Sequence, residues 1–163
     1  MEVVQPVRTE VGAVVCQTAF GWVGIAWTRR GLVAVTLPQA SKTEAQSQLP
    51  IGASTGPPEA IGLDVEALAD KLQRYFDGET VAFDEPRDVS VGTDFQRRVW
   101  AATRPVPRGQ TRTYGQISCQ VGSPGSARAV GQAKARNPWA IVVPCHRLVG
   151  HDGRLTCFGG GLY

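Results

Sequence analysis

Residues 114–138 read YGQISCQVGSPGSARAVGQAKARNP, and this stretch decides how the second half of the chain folds. Tyr114–Val121 is a short helix candidate, and Gly122-Ser123-Pro124-Gly125 forces a tight break after it. Ser126 is placed to cap a second helix over Ala127–Arg136, which Asn137-Pro138 ends because a residue before proline avoids the helical region. Helix, glycine turn, helix is the helix-turn-helix pattern. In the second helix Ala127, Ala129, Gly131, Ala133 and Ala135 alternate with Arg128, Gln132, Lys134 and Arg136. Side chains this small let a helix backbone come close to a groove in nucleic acid; they also suit tight packing against another helix.

Working outward, Thr93-Asp94-Phe95-Gln96 is a T-x-x-Q capping box that opens a helix through Thr103, with Phe95, Val99 and Ala102 inward and Pro105 and Pro107 stopping it. Downstream, Trp139–Val143 reads as a buried strand running into Pro144-Cys145-His146-Arg147, with a turn at His151–Arg154. In the first half, Val14–Thr18, Trp22–Thr28 and Leu32–Leu37 are short β-rich runs separated by turn residues, an antiparallel meander. Gln39–Gln48 is a weak helix candidate and Pro50–Gly62 a loop. Asp64 caps a helix with Val65, Leu68, Leu72 and Tyr75/Phe76 on one face, ending at Asp77-Gly78. The aromatics Trp22, Trp27, Tyr75 and Phe76 read as core, and Pro86–Gly92 as the connector. The fold class is α+β.

The formal charge of +3 hides an asymmetry. Residues 1–90 carry 7 lysines and arginines against 12 acidic residues; residues 91–163 carry 10 against 2. The second half is built to meet a polyanion. Cys16, Cys119, Cys145 and Cys157 form no C-x-x-C pair, and His146 and His151 are the only histidines, so no zinc-site spacing is present. A chain of 163 residues buries a core without disulfides. With no signal-like start and no apolar run of about 18 residues, the expectation is a cytoplasmic protein with free thiols, nuclear in a eukaryote, without metal, organic cofactor or membrane.

Cys145 and His146 supply a thiol and a base. A free thiol of pKa ~8.5 is only a few per cent thiolate at neutral pH and needs activation. Neighbouring side chains of an extended chain point to opposite faces, so a water relay is the simpler link between them.

NPWAIVVPCHRLVG at residues 137–150, together with FQRRVW, PRGQTRTYGQIS, SARAVGQA and FGGGL, resembles the O6-alkylguanine-DNA alkyltransferase family, whose signature is IPCHRV. The likeness runs through residues 93–163, with a weaker match of the first half to the family's N-terminal domain. It implies a small N-terminal β-meander plus helix unit (ribonuclease H-like) over residues 1–90, and a mainly helical, winged helix-turn-helix-like active-site domain over residues 91–163. It also implies direct-reversal DNA repair: irreversible, stoichiometric transfer of an alkyl group from O6-alkylguanine in double-stranded DNA to Cys145, by a monomer docked in the minor groove.

Position by position, the resemblance makes Cys145 the nucleophile and His146 its base. Tyr114 stands at the pocket mouth, against the flipped base and its phosphate, and Asn137 braces the turn before the active-site strand. The backbone carbonyls of Cys145 and Leu148 accept from the guanine amino group, and the Gly159 N–H faces O6. Phe158, Ala140 and Gly160 form the alkyl wall, with room for a benzyl group. Arg128 enters the stack where guanine leaves, an application of base flipping. Ser126, Ala127, Ala129 and Gly131 sit in the groove, and Gln96, Ser123 and His151 touch phosphates. The family's relay glutamate lies on a further helix about ten residues after the GGL element, and the sequence stops at Tyr163. The expectation is either a truncated sequence or a weaker relay. Lesion-binding alkyltransferase-like proteins replace the cysteine present here, but without the relay glutamate the alternative reading is such a protein, binding lesions with weak or no transfer. A helix-turn-helix regulator leaves PCHR unexplained, and a Cys-His hydrolase lacks a third member.

Overall fold

The computed structural model describes residues 10–50, 52–53 and 62–156. Strands β1 (Gly12–Thr18), β2 (Gly21–Thr28) and β3 (Gly31–Val35) form an antiparallel meander in the order β1-β2-β3. Two-residue turns join them, with Thr18 opposite Gly21 and Thr28 opposite Gly31. The middle strand is buried on both faces from Val23 to Thr28. Val23, Ile25 and Trp27 meet Leu68 and Leu72 of helix α2 (Val65–Phe76) on one side. Ala26 meets Ala13 and Leu49 on the other, beside the short helix α1 (Lys42–Ser47). Asp64 caps α2 as expected, accepting from the Ala67 N–H at 2.9 Å.

The segment around Pro86 is tied to the sheet edge. Leu32 N donates to Pro86 O, and Asp88 N donates to Leu32 O, both at 2.9 Å. Gly31 makes this possible: a Cβ there would stand 2.5 Å from Pro86 O, and its φ of +133° suits glycine. The chain returns to the same strand later, where Val35 N donates to Pro138 O and Ala140 N donates to Val35 O. One hydrophobic core therefore crosses the expected boundary near residue 90. Trp100, Trp139, Ile141, Val142, Val143 and Cys145 pack in the same cluster as Ile25, Leu32, Leu68 and Leu72.

Helix α3 (Asp94–Thr103) opens with the expected capping box: Gln96 N donates to Thr93 Oγ1 and Thr93 N donates to Gln96 Oε1. A second box, Thr113 with Gln116, opens α4 (Tyr114–Gln120). Helix α5 (Ala127–Ala135) completes the helix-turn-helix, and Val99, Ile117, Val130, Ala133 and Leu148 form a second core between the three helices. A two-residue strand β4 (Arg112–Thr113) runs parallel to β5 (Leu148–Val149). Among the described residues no helix is long and apolar enough to cross a membrane.

Two local expectations are corrected, and one point that the sequence leaves open is decided. Ser126 makes no side-chain cap on α5; its hydroxyl lies 2.8 Å from that of Ser123, which competes for it. Trp139–Val143 is no continuous strand, because only isolated bridges form there and Ile141 turns into positive φ. The small residues of α5 do not all line its outer face: Gly131 and Ala133 are buried, while Arg128, Gln132, Ala135 and Arg136 are exposed. Tight packing of α5 on α3 and α4 explains the inner ones.

The basic residues of the second half are also partly structural. Arg104 donates to Phe83 O and Arg108 to Gly78 O and Glu79 O, just past the end of α2, where backbone carbonyls lack helical partners. Arg147 donates to Val106 O.

Candidate active site

Cys145 opens a short 3-10 turn, Cys145–Arg147, directly after Pro144. The backbone reaches it through tight bonds: Val142 N to Ala140 O, Val143 N to Trp139 O and Cys145 N to Val143 O, at 2.8–2.9 Å. Ile141 within this run has φ of 72°, a conformation that costs an L-residue roughly 1–2 kcal/mol. Asn137 holds the run in place. Its Nδ2 donates to Val143 O at 3.0 Å and to Trp139 O at 3.3 Å, and its Oδ1 accepts from Trp139 N at 3.0 Å. The expectation that Cys145 and His146 point to opposite faces rested on an extended backbone; here the backbone turns.

Cys145 is 6% exposed. Burial pushes its thiol up to about 12, against the pull of the Lys134 charge and the Asn137 hydrogen bond. Burial also brings His146 down to about 4, helped by the positive charges of Arg147 and Lys134. The resting pair at neutral pH is a thiol beside a neutral imidazole. His146 Nε2 lies 3.3 Å from the Tyr75 hydroxyl, contributed by α2. A phenol donating to Nε2 leaves the ring proton on Nδ1.

A cavity of about 620 Å³ adjoins this turn, bounded by Asn137, Ala140, Cys145 and His146 on one side and by residues 34–39 on the other, with Lys134 in its wall. Lys134 is 3% exposed. Its Nζ donates to Tyr114 Oη at 3.1 Å, Leu148 O at 2.9 Å and Thr156 O at 2.8 Å, and the Tyr114 O–H donates to Thr156 O. Tyr114 and Leu148 are thus joined to the cavity wall through Lys134. The Leu148 carbonyl already accepts one bond, which leaves its second lone pair for a ligand.

Ser123, Ser126, Ala127, Arg128 and Ala129 gather at the start of α5, with Arg128 exposed and Ala127 and Ala129 half-buried. Gly131 faces the core instead. Gln96 lies in the first turn of α3 with Oε1 engaged by Thr93 N, and His151 is exposed on the turn closed by Gly150 N donating to Arg154 O. Phe158, Gly159 and Gly160 lie outside the described residues.

Sequence reasoning missed two site residues. Lys134 was grouped with the long polar side chains of α5, yet it follows Val130 by four positions and so shares its buried face. That spacing was legible. Tyr75 was assigned to the core, and no local signal links it to His146, 71 residues away.

The depressed His146 pKa makes stability pH-dependent. The folded state binds fewer protons than the unfolded state below the ordinary value of about 6.5. The stability is full above that value and is lost as pH falls toward about 4. Between pH 7 and 4.5 this group accounts for roughly 2–3 kcal/mol. Urea midpoints of wild type and His146→Gln at both pH values check it: the variant should lose less stability on acidification, and equal losses would refute the linkage.

Residues 94–163 match the family model described as 6-O-methylguanine DNA methyltransferase, DNA binding domain. Curated relatives named methylated-DNA–protein-cysteine methyltransferase are 55% identical over 93 residues in Mycobacterium bovis and 50% identical over 95 residues in Salmonella typhimurium. The matched stretch spans 57% and 58% of this chain, respectively, and 56% of each relative, so the chain spans little more than half the length of the curated relatives it matches. The solved structure of Mycobacterium tuberculosis O6-methylguanine methyltransferase superposes with a TM-score of 0.70 at 39% identity, covering 93% of this chain and 86% of that one. Mycobacterium tuberculosis OGT in complex with DNA gives a TM-score of 0.72 at 39% identity, covering 92% and 85%. The chain belongs to the O6-methylguanine-DNA methyltransferase family.

Proposed function

We propose that this protein repairs O6-alkylguanine in double-stranded DNA by moving the alkyl group onto Cys145 Sγ. The observation that carries the reading is a buried cysteine beside a neutral histidine, on a turn braced by Asn137 at the wall of a cavity, in a chain that also displays an exposed Arg128 on a helix-turn-helix. The thiol loses its proton to His146 or to water held by it, and the thiolate attacks the alkyl carbon. The carbon–oxygen bond breaks, the electron pair passes to guanine O6, and the guanine takes up a proton as it leaves. The product is a thioether. Nothing in the chemistry of the site reverses that bond, so each molecule acts once, as a monomer, without cofactor.

In this reading Ala140 belongs to the alkyl wall, as the family resemblance implies for Phe158 and Gly160 with the Gly159 N–H meeting O6, Asn137 braces the turn that carries Cys145, and Tyr114 and the Leu148 carbonyl meet the base. Gln96, Ser123, Ser126, Ala127, Ala129, Gly131 and His151 belong to a minor-groove docking surface, Gly131 through the close packing it allows rather than by contact. Arg128 fills the stack vacated by the flipped guanine. Intact-protein mass after incubation with a duplex carrying one O6-methylguanine tests the proposal. A gain of one methylene per molecule is the expected result; lesion binding with no mass gain would overturn it in favour of a binding-only protein.

Arg128→Ala should slow transfer from duplex DNA by about tenfold or more, since refilling the stack offsets part of an unstacking cost of a few kcal/mol. Its reaction with free O6-benzylguanine should stay unchanged, because no stack is opened. Single-turnover rates on both substrates decide the point, and a parallel loss on both would remove Arg128 from this role.

A further inference from the structure

Tyr75 brings the first half of the chain to the active-site histidine. On α2 it follows Leu68 by seven positions and Leu72 by three, so it continues the face that both leucines bury. Its ring meets those of Phe76 and Phe83 edge to face, with centroids 5.4 and 5.8 Å apart. Arg108 fastens the chain just beyond α2 by donating to Gly78 O and Glu79 O. The phenol is thus set by its own helix and the rings around it, and its hydroxyl comes to 3.3 Å from His146 Nε2. Among the described residues neither the hydroxyl nor the imidazole ring makes another hydrogen bond.

We propose that Tyr75 is a positioning residue for His146: its hydroxyl holds the ring by Nε2 and sets the tautomer in which the imidazole stands beside Cys145. A phenol O–H is a stronger donor than an imidazole N–H, and an imidazole nitrogen is a stronger acceptor than a phenol oxygen. The O–H therefore donates to Nε2, and the ring proton stays on Nδ1. Turning the ring over would break this bond, so its orientation is fixed as well. A hydroxyl also accepts, and the proposed alkyl transfer, on which this inference rests, uses that second capacity. When the thiol ionises, its S–H bond breaks and the electron pair stays on sulfur. The proton ends on Nε2 by way of water, the Tyr75 O–H swings aside, and the phenol oxygen accepts from the new Nε2–H. Nδ1–H is unmoved, on a ring that lines the same cavity as Cys145. One hydroxyl thereby serves both the neutral ring and the imidazolium without reorienting the base.

The test needs neither DNA nor a lesion. The sequence holds two histidines, and exposed His151 is the internal reference for His146. Long-range proton–nitrogen NMR of the isotope-labelled protein at pH 8 separates the two neutral tautomers. His146 should carry its proton on Nδ1, while His151 shows the Nε2–H form that a solvated imidazole prefers. Tyr75→Phe keeps the ring packing and removes only the hydroxyl; His146 should then move toward Nε2–H, with His151 unchanged. Iodoacetamide alkylates a thiolate and releases iodide, and peptide mass spectrometry reads Cys145 separately from exposed Cys119. In Tyr75→Phe, Cys145 should label about fivefold more slowly, the weight of one ordinary neutral hydrogen bond, and Cys119 at the wild-type rate. A merely structural tyrosine predicts the opposite sign, because loosening the site speeds labelling of Cys145. An Nε2–H tautomer at His146 in the wild-type protein would overturn the inference without any variant. So would a tautomer unchanged in Tyr75→Phe, or Cys145 labelling at or above the wild-type rate. Each of these results leaves the methyl-transfer test of the proposed function standing.

Discussion

Cys145→Ser should fold, bind a duplex carrying O6-methylguanine, and gain no mass. The substitution exchanges sulfur for a slightly smaller oxygen at a position that is 6% exposed. Little of the packing around Val143 and Trp139 changes. The chemistry changes completely, since an alcohol is a far weaker acid and nucleophile than a thiol, and this site offers a neutral imidazole rather than a strong base. Loss of transfer with binding retained separates acceptor from scaffold. Wild-type mass gain in Cys145→Ser would move the acceptor elsewhere, with exposed Cys119 the next thiol to examine.

Trp100→Ala should cost about 3–5 kcal/mol of stability, the range for deleting a buried large aromatic. Trp100 is 2% exposed, its Nε1 donates to Ala133 O at 2.8 Å, and its ring meets Trp139 edge to face with centroids 5.3 Å apart. One side chain thus ties α3 to α5 and to the segment that leads into Cys145. Its loss leaves a cavity and removes the shorter of two hydrogen bonds to the Ala133 carbonyl, which still accepts from Arg136 N at 3.2 Å. Urea denaturation of both proteins gives the difference. A loss below about 1 kcal/mol would mean that the site relaxes around the gap, and that the shared core does not depend on this contact.

Trp100 also illustrates what a local reading cannot weigh. The 3.6-residue period placed Phe95, Val99 and Ala102 inward, and they are at least partly buried. The same helix buries Trp100 on an adjoining face against the other half of the chain. A single-face pattern misses it because α3 packs against two cores at once.

The sequence by itself determined the meander, the capped helix at Asp64, the capping box at Thr93 and the two helices around Gly122–Gly125. These depend on interactions within a few residues: turn glycines, side-chain caps and periodic apolar faces. It also singled out Cys145 and His146, because an ordered set of motifs carries more information than any one of them. Only the tertiary structure decided the rest. It set the turn at Ile141, which Asn137 and strand β3 impose on a run that reads as strand, and the hydroxyl of Ser126, which goes to Ser123. It also decided the arginines spent on backbone carbonyls, the meeting of Tyr75 with His146, and the burial of Lys134 in the wall of the cavity that Cys145 also lines. Each of these turns on which groups distant in sequence are left to satisfy one another once water is excluded, and local patterns hold no record of that.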